Sequence, residues 1–292
     1  MWIVYFITCP NEATNASKDG ILLWFYQILP ILLPYAILSN IVVKSNLIHV
    51  FSGKRNILPP GVTFSELFIL ICGFFFGFPL GSKLCADFLK KDEISLHNAQ
   101  ILCVATNQMS PGFVSVYVLT NSLHQKDRMV FSFLILYGIP FVYAWIRMIL
   151  YNKKHRGENH KKPESRFNIN MEIVDTGIVQ SFETLIRLCG YIVIFSLTSR
   201  MFLQTAVLPE AWKQCAVGFL EVTNGIAALA NSSFAPKEKY VLAMGILSFG
   251  GLCGLAQTSS VIRDTKLSIK NYFVTKVIFC ILVLLITALS YS

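Results

Sequence analysis

Eight apolar stretches occupy most of this 292-residue chain, at residues 21–43, 66–80, 98–120, 129–151, 178–203, 212–232, 239–261 and 271–291. About 20 apolar residues suffice to cross a bilayer core of ~30 Å as a helix. Lipid offers the backbone no hydrogen bonds, so continuous runs of this kind must satisfy their own N–H and C=O groups as helices. Only 14% of the residues are charged, against about 25% in a soluble domain, and the mean hydropathy is +0.57. The expected fold is an all-α polytopic membrane protein, with no room left for a soluble catalytic domain. Residues 1–7 are too short for a signal-peptide core and are read as part of an uncleaved tail or interfacial segment.

The stretches are not uniform. Twice, a short apolar arm runs into a glycine-bearing turn and a second short arm. The turns are Gly77-Phe-Pro-Leu-Gly81 and Glu221-Val-Thr-Asn-Gly225. Each pair is followed by an apolar segment interrupted near its middle, at Asn107-Gln-Met-Ser-Pro-Gly112 and at Phe249-Gly-Gly-Leu-Cys-Gly254. Broken helices in corresponding positions of two halves point to a solute or ion site near the bilayer midplane.

Lysines and arginines separate two topologies. If all eight stretches crossed the membrane, the loop cations would divide almost evenly between the two sides. If the second and sixth stretches are re-entrant hairpins, fourteen loop cations, Lys44, Lys91 and Lys266 among them, share one face and seven remain on the other. That bias marks the richer face as cytoplasmic. An arm of about eleven residues also rises only ~16 Å, roughly half the core. The expectation is six full spans plus two hairpins, arranged as two inverted repeats of helix, hairpin, broken helix and helix. Residues 1–20 form the N-terminal tail, 21–151 the first repeat, 152–177 a basic cytoplasmic linker and 178–292 the second. Both termini are then external, with Gly53, Lys162 and Lys266 cytoplasmic and Asn15, Gln125, Pro236 and Ser292 external. A faint correspondence of Gln27, Pro34, Tyr35 and Lys44 with Glu183, Gly190, Tyr191 and Arg200 accompanies the repeat.

Segments Pro10–Asn40, Gly77–Lys83, Thr106–Pro111, Leu220–Gly225 and Ser248–Gln257 together resemble the YlbJ family of sporulation integral membrane proteins. The resemblance covers nearly the whole chain in order. It implies membership of the wider Gate (nucleoside-recognition) group, whose architecture recurs in concentrative nucleoside transporters. It further implies a bacterial cytoplasmic-membrane protein needed for spore formation. The chain departs from the family at Phe78-Pro-Leu-Gly-Ser-Lys83, where Tyr-Pro-Ser-Gly-Ala-Lys is usual. It also departs at Gly254-Leu-Ala, where a histidine is usual.

Candidate binding residues cluster at the interruptions. In the first half they are Gly77, Pro79, Gly81, Ser82 and Lys83 at the hairpin, and Asn107, Ser110 and Pro111 at the break. In the second they are Glu221, Thr223, Asn224 and Gly225 at the hairpin, and Ser248 and Gln257 around the break. Lys83 follows a helix start whose free N–H groups favour an anion; the structural alternative is an i,i+4 pair with Asp87 or a side chain reaching the interface. Glu221 is an intramembrane carboxylate, a functional candidate by default, or else a clamp on its own turn. Lys83 and Glu221 could also neutralise each other. Pro111 removes a donor and exposes a carbonyl one turn earlier, as ion sites in unwound helices require.

The eight cysteines show no CxxC spacing and read as small hydrophobes. The net charge of +9 lies in membrane-flanking loops, so nucleic acid is not an expected partner. No HExxH, P-loop or nucleophile–base pattern occurs, so neither enzyme activity nor a cofactor or metal is expected. Two readings remain: a secondary transporter or permease for a small polar or anionic solute, and a membrane scaffold for spore-envelope assembly. The partners are the lipid bilayer and an unidentified solute, with coupling to H+ or Na+ and homo-oligomerisation left open.

Overall fold

The computed structural model describes residues 2–47, 62–154, 167–204 and 209–291, and these contain helices and no strands. In chain order the helices are α1 (Trp2–Thr8), α2 (Pro10–Leu23), α3 (Leu29–Lys44), α4 (Phe64–Phe76), α5 (Leu80–Lys90), α6 (Leu96–Thr106) and α7 (Met129–Lys154). They continue as α8 (Met171–Gln204), α9 (Glu210–Leu220), α10 (Val222–Ala230), α11 (Pro236–Phe249), α12 (Gly251–Ile262) and α13 (Ile269–Ser290). A π-helical turn, Trp24–Ile28, joins α2 to α3 without a break, and a second π-helical segment, Phe113–Ser122, follows α6. Positions 53, 162 and 292, assigned to sides above, lie outside the described residues.

Among the described residues, five helices are long and apolar enough to cross a membrane: Pro10–Lys44, Lys126–Asn152, Met171–Gln204, Pro236–Ile262 and Ile269–Ser290. The protein is multi-pass. The sixth expected span, 98–120, is not one continuous helix. Four residues, Asn107–Ser110, are unwound between α6 and the π-helical segment. The interruption at Gly250 is milder, a single non-helical residue (φ +85°) between α11 and α12, with Gly251 at φ +71° opening α12.

At the N-terminus α1 precedes the first long apolar helix, Pro10–Lys44, of which α2 is the opening part. Small residues explain the docking. Ala13, Ala16 and Gly20 are buried, and a Cβ on Gly20 would come within 3.2 Å of the Val193 backbone in α8. Small residues at helix contacts allow the close approach that packs helices in lipid. Arg200 of α8 then bridges Asp19 at 3.0 Å and Glu12 at 3.8 Å.

Two pairs of short helices, α4–α5 and α9–α10, pack within themselves. The first begins with a capping box: Thr63 Oγ1 accepts from Glu66 N–H at 3.2 Å, and Glu66 Oε2 accepts from Thr63 N–H at 2.8 Å. This arrangement satisfies two otherwise orphaned helix donors. Glu66 is buried and also accepts from Asn98 Nδ2 at 2.6 Å, which ties α4 to the start of α6.

The glycine roles differ from expectation at both turns. Gly77 (φ +65°) turns the chain between α4 and α5, while Gly81 lies inside α5 and Gly225 inside α10. Neither Gly81 nor Gly225 has positive φ. They are small because of what faces them: a Cβ on Gly81 would stand 2.6 Å from the Thr106 carbonyl oxygen, and one on Gly225 2.0 Å from Gly218 Cα. Close backbone packing, not turn geometry, excludes a side chain there.

Candidate functional site

Each helix pair turns against the break that follows it. Phe78 N–H donates to the Gln108 carbonyl at 2.9 Å, and a Cβ on Gly77 would sit 2.7 Å from that same oxygen. In the second half, Gly251 (φ +71°) lies against Leu220 and Val222. The two halves also cross. A Cβ on Gly254 would meet the Phe78 ring at 2.5 Å, and Tyr117 OH donates to the Thr223 carbonyl at 3.3 Å. Both turns and both breaks therefore meet in one region.

A cavity of about 100 Å³ lies there, lined by Ser110 of the first break, Glu221 and Thr223 of the second turn, and Gly250 and Gln257 around the second break. Gln27 also borders it, and Phe76, Phe78, Phe113, Leu188 and Ile192 belong to its apolar lining. One water needs roughly 10–15 Å³ of such space, so the cavity suits several waters or a small solute. Gln257 is 4% exposed. Its Nε2 contacts Cys253 Sγ at 3.1 Å, while its Oε1 has no partner among the described residues. A buried acceptor without a donor costs ~1–3 kcal/mol.

Glu221 adopts the clamp role. Its backbone is extended (φ −145°), and its carboxylate caps α10 by accepting from Thr223 N–H at 3.0 Å and Asn224 N–H at 2.7 Å. It also borders the cavity, so the two readings offered above coexist in one side chain. Asn224 reaches back to Ser196 of α8, with Nδ2 3.2 Å from Oγ.

Lys83 adopts the local alternative. Its Nζ lies 2.7 Å from Asp87 Oδ2 and 2.7 Å from Asn40 Oδ1. Asn40 Nδ2 in turn donates to Ser181 Oγ at 2.8 Å. Lys83 and Glu221 do not pair, because Lys83 and Pro79 border a separate cavity of about 340 Å³ with Asp87, Glu183, Arg187 and Asp264. Gln257 and Leu188 line both cavities.

The remaining candidates also make contacts within the protein. Ser110 is the N-cap after the first break, with Phe113 N–H donating to its Oγ at 3.3 Å. Pro111 therefore opens the next helical segment, where a missing N–H costs nothing; it is not a mid-helix breaker. Ser82 Oγ accepts from Cys103 Sγ–H at 3.3 Å. Asn107 Nδ2 donates to Thr258 Oγ1 and Tyr272 OH, each at 2.8 Å, and its buried Oδ1 has no partner among the described residues.

The residue that the sequence reading missed is Lys276. It is 1% exposed, and its Nζ donates to Gln108 Oε1 at 2.8 Å and to the Ser248 carbonyl at 3.2 Å. One acceptor belongs to each break, so α13 staples the two interruptions together. No carboxylate pairs with Lys276 among the described residues. The signal was present, since a lone lysine inside an apolar run is a functional candidate. It was absorbed into the stretch 271–291 as an ordinary span.

Among known proteins, the chain is similar to a "Sporulation integral membrane protein YlbJ" of Bacillus subtilis (strain 168). The two are 23% identical over 321 aligned positions that cover 93% of this chain and 76% of the relative. No family model matches the chain, and no solved structure matches it.

Proposed function

We propose that this protein is a bacterial cell-membrane permease or secondary transporter that binds a small polar solute between its two helix turns and acts in sporulation. The observation that carries the proposal is the convergence of both turns and both breaks on one cavity bordered by Ser110, Glu221, Thr223 and Gln257. Unwound backbone at membrane depth is tolerated where it lines a cavity or is buried in protein, and paired interruptions mark transporter sites. The similarity to a sporulation integral membrane protein supports the biological setting.

In this reading α4–α5 and α9–α10 are re-entrant hairpins, the halves are inverted repeats of the Gate type, and both termini face outward. Among the described residues the polar wall holds a carboxylate and no cation, which favours a neutral or cationic solute over the anionic one considered from sequence. Entry runs through the charged cavity beside Lys83, with Gln257 at the junction. Coupling to H+ or Na+ and self-association belong to the same proposal.

The scaffold reading draws on a different observation. Both Glu221 and Lys83 are engaged by local partners, as packing clamps would be. Proteoliposomes separate the two. Purified protein should retain amino acids, nucleosides or sugars from a radiolabelled panel above empty vesicles, and Gln257→Leu should remove that uptake while the protein still folds. Retention equal to that of empty vesicles for every solute would favour the scaffold.

A further inference from the structure

A third space, of about 950 Å³, lies on the outer surface between α6, α7 and α13, away from the turns and breaks. It is far larger than a small solute requires. Helices α7 and α13 run antiparallel along it. Arg128 at the start of α7 stacks on the Tyr291 ring just past the end of α13 at 3.7 Å. At the opposite end, Gln100 of α6 exchanges hydrogen bonds with the Ser268 backbone at 2.7 and 3.2 Å.

The groove is chemically polarised. His97, Arg147 and Lys270, from three different helices, line one end, and no Asp or Glu lines it among the described residues. Arg147 and Lys270 have no acid partner among those residues. Apart from Gln100, Asn271 and Thr275, the rest is largely apolar and open outward, through Leu134, Val142, Ile278 and Leu282. From Arg147 to Leu134 along α7 the helix rises about 20 Å, close to one leaflet's ~15 Å of hydrocarbon plus part of its headgroup layer.

We propose that this groove binds one anionic phospholipid, with Arg147 and Lys270 taking the phosphate and an acyl chain lying toward Leu134 and Leu282. Basic pockets between membrane helices recognise anionic headgroups by charge, and the apolar length here is that of a single leaflet. Gly138 forms part of the floor, and a Cβ there would meet nothing within 4 Å.

The test uses the full-length protein in a neutral detergent, with native mass spectrometry and thermal unfolding. Phosphatidylglycerol should be retained as a single adduct and raise Tm, and phosphatidylcholine should do neither. Arg147→Gln/Lys270→Gln should weaken phosphatidylglycerol retention about tenfold or more. Gly138→Leu should weaken it by filling the groove while leaving the lipid-free Tm in place. Equal retention of phosphatidylcholine, or full retention by either variant, would overturn the proposal. So would an equal Tm increase from inorganic phosphate alone, or a lipid-free dimer that seals the groove.

Discussion

The ammonium of Lys276 donates to the side chain of Gln108, 168 residues earlier in the chain, at 2.8 Å inside the protein. Burying an ammonium costs several kcal/mol unless acceptors replace its water. Gln108 and the Ser248 carbonyl supply those acceptors, so the charge and the two breaks hold one another in place.

This linkage predicts strong coupling. Gln108→Leu should destabilise the protein by about 1–3 kcal/mol, because it removes one of the two acceptors of a buried donor. Gln108→Leu/Lys276→Met should recover much of that loss, and thermal unfolding of the single and double variants measures the difference. Simple addition of the two single losses would show that Lys276 does not depend on Gln108.

Close packing at Gly81 and Gly225 predicts sensitivity even to alanine. Gly81→Ala places a Cβ 2.6 Å from the Thr106 carbonyl, and Gly225→Ala places one 2.0 Å from Gly218 Cα. Overpacking of this kind costs about 1–3 kcal/mol or more. Gly190→Ala in α8 meets nothing within 4 Å and should be neutral or stabilising by up to about 1 kcal/mol. Similar unfolding midpoints for all three variants would contradict the packing account.

Glu221 is expected to contribute stability through its cap, whatever else it does. Glu221→Ala should cost about 1–2 kcal/mol, whereas Glu221→Gln keeps one acceptor oxygen and should cost less. Loss of uptake in Glu221→Gln with normal expression would add a role toward solute. Unchanged unfolding of Glu221→Ala would remove the cap from the account.

The re-entrant arrangement predicts the sidedness of loops. In a background without native cysteines, single cysteines at Lys91 and Lys266 should react with a membrane-impermeant reagent from one side. Those at Gln125 and Pro236 should react from the other. Reaction of the Lys91 and Lys266 positions from opposite sides would exclude the two hairpins.

Much of the fold was legible in the residues because its determinants are local. Run length and apolarity set the helices, and the interruptions at Asn107–Ser110 and Gly250 fall where glycine, proline and polar residues cluster. The alternatives for Lys83 and Glu221 were also local, an i,i+4 pair and a turn's own N–H groups, and the structure adopts both. Sequence therefore determined which segments are helical, where they break and which nearby partners each polar side chain can reach.

Only tertiary structure decided which breaks meet and what joins them. The Asn107–Tyr272 and Lys276–Gln108 bonds span 165 and 168 residues, and no periodicity encodes such a pairing. The positions of Gly81 and Gly225 inside helices, not at turns, likewise follow from the backbones facing them. The physical reason lies in the solvent. Lipid is as apolar as the helix faces it touches, so apolarity places a helix in the membrane without choosing its neighbours. That choice falls to small residues that admit close backbones and to buried polar groups that must find partners.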